Sequence, residues 1–132
     1  MDFRVSREAF LRVLTHVSSI VDSRSTIPIL SNIYIKCENN QIEIRSTDMD
    51  ISIREFVSAD STKNGEATVN SRILTDIIRK TKKNSIVKCK LEGNRLIINS
   101  DNSVFELNAL SADEFPKFVP LDPTNAFDLT IP

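Results

Sequence analysis

The residues of this chain that could do chemistry are few. Asp48 and Asp50 form a D-x-D pair, an arrangement able to hold a divalent cation through carboxylate oxygens, but no further acid or histidine converges beside it. The simpler role of Ser46-Thr47-Asp48 is a turn leading into a strand. His16, the one histidine, has no evident nucleophile to serve and reads as a polar helix-face residue. Cys37 and Cys89 occupy matched places in two alternating apolar runs, where half-buried thiols are usually core, and no metal-ligand spacing surrounds them. With Gly65 and Gly93 as the only glycines, there is no Gly-rich loop to cradle a phosphate. The sequence reads as non-enzymatic, with no metal and no cofactor.

What is concentrated is positive charge. The chain as a whole is nearly neutral, with 17 basic and 18 acidic residues, so bulk charge selects no partner. Two segments read as helices depart from that balance. Ser6 to Ile20 carries Arg7 and Arg12 against Glu8, a net +1. Ser71 to Lys83 carries Arg72, Arg79, Lys80, Lys82 and Lys83 against Asp76, a net +4. Together they hold +5, and the rest of the chain holds −6. Helical projection sets Arg72, Asp76, Arg79, Lys80 and Lys83 opposite the apolar face. Solvated helix faces are often basic, but such segregation also suits a polyanion. Lys and Arg side chains bind duplex phosphates by releasing condensed counterions, without reading sequence. No aromatic platform accompanies them, which favours contact with a duplex backbone over single-strand stacking.

The elements that must position these groups occur twice. A shift of 64 positions lays Val5 on Val69, Phe10 on Leu74, Val13 on Ile77 and Leu14 on Ile78. A shift of 54 lays Ile42 on Leu96, Ile44 on Ile98, Ile51 on Phe105 and Ile53 on Leu107, which leaves room for a loop ten residues longer in the first half. In the first unit Phe3 and Val5 alternate in a short strand, and Ser6 caps a helix whose apolar face is Phe10, Val13, Leu14, Val17 and Val21. Arg12, Thr15, His16 and Ser19 project from its other side. Ile33, Ile35 and Cys37 make a strand, Asn39-Asn40 a tight turn into Ile42 and Ile44, and Met49, Ile51 and Ile53 a third strand. The second unit repeats the order: Ala67 to Val69, a cap at Asn70 or Ser71, and a helix with Ile73, Leu74, Ile77 and Ile78 inward. Then come the strands of Val87, Cys89 and Leu91, of Leu96 and Ile98 after the Gly93-Asn94 turn, and of Phe105 and Leu107. A duplicated β-α-β-β-β unit joined by hairpins predicts an α+β domain, two helices side by side on one continuous antiparallel sheet. At 132 residues and 40 % hydrophobic content, one shared core is expected instead of two.

The segment Arg24-Ser25-Thr26-Ile27-Pro28-Ile29-Leu30-Ser31-Asn32 closely resembles the signature loop of the bacterial sliding clamps, the beta subunits of DNA polymerase III. Ser46-Thr47-Asp48-Met49-Asp50, Leu91-Glu92-Gly93 and Ala112-Asp113-Glu114-Phe115-Pro116 follow in the family's order and spacing. The resemblance covers essentially the whole chain and is to the first of three similar domains. It implies a DNA clamp fold, helices lining the hole of a two-subunit ring and sheets forming its wall. It implies a processivity factor that encircles double-stranded DNA without reading sequence, and that serves DNA polymerase III and its clamp loader as a full-length homodimer. Arg24 matches a family position that contacts the duplex from a loop, and Arg72 another on the second helix. With the charge count, the expected DNA-binding set is Arg12, Arg24, Arg72, Arg79, Lys80 and Lys83. Phe105 and Leu107 match the apolar part of the family's subunit interface, on an edge strand from Ser103 to Ala109. Family members carry basic residues beside those positions, where this chain has Asn102 and Val104.

The domain is expected to occupy residues 1–120, with 121–132 a linker and the start of a next domain. Phe127, Leu129 and Ile131 alternate as Phe3 and Val5 do, and Pro132 arrives where a third helix would be due. Met-Asp-Phe-Arg offers no apolar leader and no run reaches membrane-spanning length, so a cytoplasmic protein with no membrane partner is expected. The rival reading is a protein-interaction domain with no DNA role, resting on the strand edge near Phe105.

Overall fold

The computed structural model describes residues 1–19, 31–47 and 51–110. Its elements are β1 (Asp2–Ser6), α1 (Arg7–Ser18), β2 (Asn32–Glu38), β3 (Gln41–Thr47), β4 (Ser52–Ser58), β5 (Asp60–Lys63), β6 (Gly65–Asn70), α2 (Ser71–Lys80), β7 (Ile86–Glu92), β8 (Arg95–Ser100) and β9 (Ser103–Leu110). The internal repeat is visible in the caps. Ser6 Oγ accepts from the Ala9 N–H at 3.4 Å, and 64 residues later Asn70 Oδ1 accepts from the Ile73 N–H at 2.9 Å. Each closes an amide that the first helical turn leaves open.

All strand pairs are antiparallel, in the order β4-β3-β2-β6-β9-β8-β7-β1-β5. Asn39 and Asn40 both take positive φ in the β2–β3 turn, and Gly93 does so in the β7–β8 turn. These left-handed residues give hairpin turns whose twist matches the strands they join. The two ends of the order, β4 and β5, are successive stretches of chain separated by Ala59 alone. The sheet thus comes back on itself around a single core. Phe3, Phe10, Leu14, Ile33, Ile44, Leu74, Ile78 and Ile98, drawn from both units, belong to that one apolar cluster.

Four details depart from the sequence reading. β5 was not anticipated, because Asp60-Ser61-Thr62-Lys63 has no apolar alternation. It is held by backbone pairing to β1 and by Asn40, whose Oδ1 accepts from the Ser61 N–H at 3.0 Å. Ser46 and Thr47 end a strand and do not form a turn; Ser46 is buried and donates to the Val17 carbonyl at 2.6 Å. Ile51, expected in a strand, stands exposed just before β4. The second helix stops at Lys80, where the Thr81 hydroxyl and N–H both bond the Ile78 carbonyl, so Lys82 and Lys83 lie in the turn that follows. Ile20 and Val21 lie outside the described residues.

Gly65 marks a close approach. A Cβ built there would sit 2.8 Å from both the Met1 Cβ and the Met1 nitrogen. Gly65→Ala should cost about 1–3 kcal/mol as β6 and the buried Met1 are forced apart. Urea unfolding would show this as a lower midpoint with an unchanged slope.

Candidate nucleic-acid interface

The two helices pack directly against each other and run antiparallel. Ser18, at the end of α1, hydrogen-bonds Ser71 at the start of α2 and lies 3.3 Å from the Thr75 hydroxyl. At the other end Arg7, the first residue of α1, reaches the last turn of α2. Its Nε donates to the Ile78 carbonyl at 3.3 Å and its Nη2 to the Arg79 carbonyl at 3.0 Å. Small hydroxyl residues let the backbones approach at one end, and a buried guanidinium closes the other.

That geometry revises the charge count. Arg7 is only 8 % exposed, so its charge is used inside the fold on the carbonyl end of α2. The cations left on the helical face are Arg12, Arg72, Arg79 and Lys80, all exposed, with Lys82 and Lys83 exposed in the next turn. Arg79 pairs with Asp76 at 3.3 Å. Arg12, Arg72, Lys80, Lys82 and Lys83 have no carboxylate partner among the described residues. On the strands, by contrast, Lys36, Arg45, Arg54, Lys90 and Arg95 each meet a glutamate, though Arg4, Lys63 and Lys88 do not. Positive charge is mostly neutralised on the sheet and mostly left open on the helices.

Between α1 and α2 lies a groove of about 430 Å³, lined by Thr15, Ser18, Arg72, Thr75, Asp76 and Arg79 among others. Hydroxyls and guanidinium groups are donors to phosphate oxygens and carry no base preference. The turn bearing Lys83 is pinned by Glu8, which accepts from the Asn84 N–H at 3.0 Å and pairs with Arg7 at 3.2 Å. The Asn84 amide, aided by Arg7, holds the Glu8 carboxyl below its usual range. Glu8 therefore secures the turn above the ordinary carboxylate pKa, and that support is lost as pH falls through the lowered value.

Arg24 lies outside the described residues, as do Asp48 and Asp50. His16 is exposed and pairs with Glu55 of β4, so it ties α1 to the sheet. Cys37 and Cys89 are buried free thiols, and burial pushes both thiol pKa values up. Among the described residues no three His, Cys, Asp or Glu side chains gather as a metal site requires, and no helix is long and apolar enough to cross a membrane. Phe105 and Leu107 point into the sheet's inner face, Leu107 buried and Phe105 half-buried. β9 is an edge over part of its length only. It pairs with β8 from Ser103 to Asn108, and with β6 at Ala109 and Leu110 alone. Ile73, expected inward, is exposed.

A family model described as the N-terminal domain of the DNA polymerase III beta subunit matches residues 1–119. The chain belongs to that family. The beta sliding clamp of Pseudomonas aeruginosa is 32 % identical over 117 residues, covering 88 % of this chain and 32 % of the relative. That of Caulobacter vibrioides is 36 % identical over 118 residues, with the same coverage of both. Among solved structures, the C. crescentus beta sliding clamp superposes with a TM-score of 0.87 at 35 % identity, over 90 % of this chain and 32 % of that one. The beta subunit from P. aeruginosa gives 0.88 at 31 % identity, over 93 % and 33 %. This beta-subunit domain thus spans about a third of the length of these relatives. Its two helices on an antiparallel sheet are the clamp-domain architecture expected from the duplicated unit.

Proposed function

We propose that residues 1–120 are the first domain of a DNA sliding clamp, with 121–132 leading into a second. Full-length subunits close as a homodimeric ring around double-stranded DNA in the cytoplasm, and hold DNA polymerase III to its template after a clamp loader has opened the ring. The role is topological, and the subunit has no catalytic site of its own. The observation that carries this reading is the set of exposed cations without carboxylate partners on one face of two antiparallel helices. Mobile, sequence-neutral phosphate contacts are what a sliding protein needs.

Arg24, matched by the family resemblance, and Arg72 on α2 are the contacts of first rank; Arg12, Arg79, Lys80 and Lys83 widen the field. Replacing Arg24 and Arg72 by Ala in the full-length subunit should weaken duplex binding and flatten its salt dependence by about two units of log–log slope, one per phosphate released. Arg72→Ala alone should change stability by less than about 0.5 kcal/mol, since Arg72 is exposed and exposed charges contribute little to folding. Unchanged affinity and slope in an intact ring would remove these two residues from the contact set. The alternative, a protein-interaction domain without a DNA role, draws on the partly open edge of β9. The same edge serves the ring as its seam, with Phe105 and Leu107 as the apolar part of the subunit interface.

A further inference from the structure

The two helices carry one carboxylate each, Glu8 on α1 and Asp76 on α2, and use them differently. Asp76 pairs with the Arg79 side chain at 3.3 Å, and both groups are more than half exposed. Glu8 is turned instead toward backbone. Its Oε2 accepts from the Asn84 N–H at 3.0 Å and from Arg7 Nη1 at 3.2 Å. Arg12 stands four residues on, where a helix-surface ion pair with Glu8 could form, yet it has no carboxylate partner among the described residues. Two further bonds complete the loop after α2. The Arg7 N–H donates to the Ser85 carbonyl at 3.0 Å, and Ser85 Oγ donates to the Lys82 carbonyl at 2.6 Å. Asn84 takes a φ of 63°, a left-handed conformation that a residue with a Cβ adopts only at a cost. The first turn of α1 thus builds the loop that follows α2, and that loop holds Lys82 and Lys83 exposed beside Lys80.

Resting on the DNA reading above, we infer that Glu8 is a positioning residue for duplex binding, an acid whose removal lowers affinity for a polyanion. It fixes Lys82 and Lys83 as a pair of phosphate contacts at the end of the helical face. Two effects oppose each other here. A carboxylate near a duplex repels phosphates, but this one is already engaged by Arg7 and by an amide, and solvent screens what remains within about 10 Å at 0.1 M salt. Against it stands preorganisation. A loop ordered before binding has no backbone freedom left to lose when its lysines meet phosphates. Three residues held in place, two of them cations, outweigh one screened and partnered charge.

The test is the affinity of full-length variants for a linear duplex, read by fluorescence anisotropy across a salt series. Glu8→Ala should weaken binding about three- to tenfold and lower the log–log salt slope by about one unit per subunit. Glu8→Gln removes the charge but keeps an oxygen that accepts the Asn84 N–H, so it should bind at least as tightly as the native subunit. Glu8→Asp keeps the charge but draws the oxygen back by one methylene, and should bind as weakly as Glu8→Ala. Replacing Lys82 and Lys83 by Ala should cost affinity in the native background and much less beside Glu8→Ala, since both changes then remove one contact. Thermal unfolding of each variant checks that its fold is intact. Tighter binding by Glu8→Ala, native binding by Glu8→Asp, equal losses in the Ala and Gln variants, or losses that add fully to those of the lysine changes would each overturn the positioning role and leave the DNA reading standing. A native subunit that ignores the duplex at low salt would overturn that reading itself.

Discussion

Arg7→Ala should destabilise the domain by about 2–4 kcal/mol, among the largest losses expected from any single charged residue here. Arg7 opens α1 but works at the end of α2, where its guanidinium bonds the carbonyls of Ile78 and Arg79. The Ile78 carbonyl keeps two other partners, the Thr81 N–H at 3.1 Å and the Thr81 hydroxyl at 2.6 Å. The Arg79 carbonyl would lose its charged donor, and the negative end of the helix its closest compensating charge. The truncation would also leave a void where the buried side chain now lies between the helices. Glu8 would lose its 3.2 Å partner as well, which loosens its hold on the turn carrying Lys83. Arg7→Lys should recover only part of the loss, because one ammonium cannot reproduce the planar fork that reaches two carbonyls. Urea unfolding followed by circular dichroism measures the effect. A loss below about 1 kcal/mol would mean that the Ser18–Ser71–Thr75 contacts and the apolar core hold the helices together without Arg7.

Arg7 also shows what a sequence can and cannot convey. Cap chemistry pointed to Ser6 and to Asn70 or Ser71, of which Asn70 is the cap, and the offset of 64 matched the core positions Phe10 with Leu74 and Leu14 with Ile78; all four apolar residues are fully buried. Those features were legible because helix periodicity and cap chemistry are local. A charge count is local too, but it cannot separate an exposed cation from one folded back onto a neighbouring helix 70 residues away. Ile73 failed for a related reason. The buried positions of α2 are Ser71, Leu74, Thr75 and Ile78, with Ile77 half-buried against the same core as expected, and two of the four are hydroxyl residues in close contact with α1. Residue type alone ranked Ile73 above Ser71 and Thr75, and tertiary packing reversed the ranking. β5 was silent because its pairing uses backbone groups and Asn40, with no apolar side chain to betray it. The interface cations were legible as a cluster on α2, yet their lack of carboxylate partners is visible only once the sheet's glutamates are placed. The open half of β9 depends on where β6 turns into α2, a matter of register that no single strand encodes.

Encirclement of DNA is most directly tested by retention on closed circles. The full-length subunit, loaded on a nicked circular plasmid and passed through a gel-filtration column at moderate salt, should stay with the DNA and be lost when the plasmid is cut once. A ring needs no strong contact to remain on a circle, and phosphate contacts alone weaken steeply with salt. The 132-residue chain, about a third of the length of its relatives, should elute free from circular and linear DNA alike. A full-length subunit that leaves circles as fast as it leaves linear DNA, or a 132-residue chain that is retained on circles, would contradict the clamp.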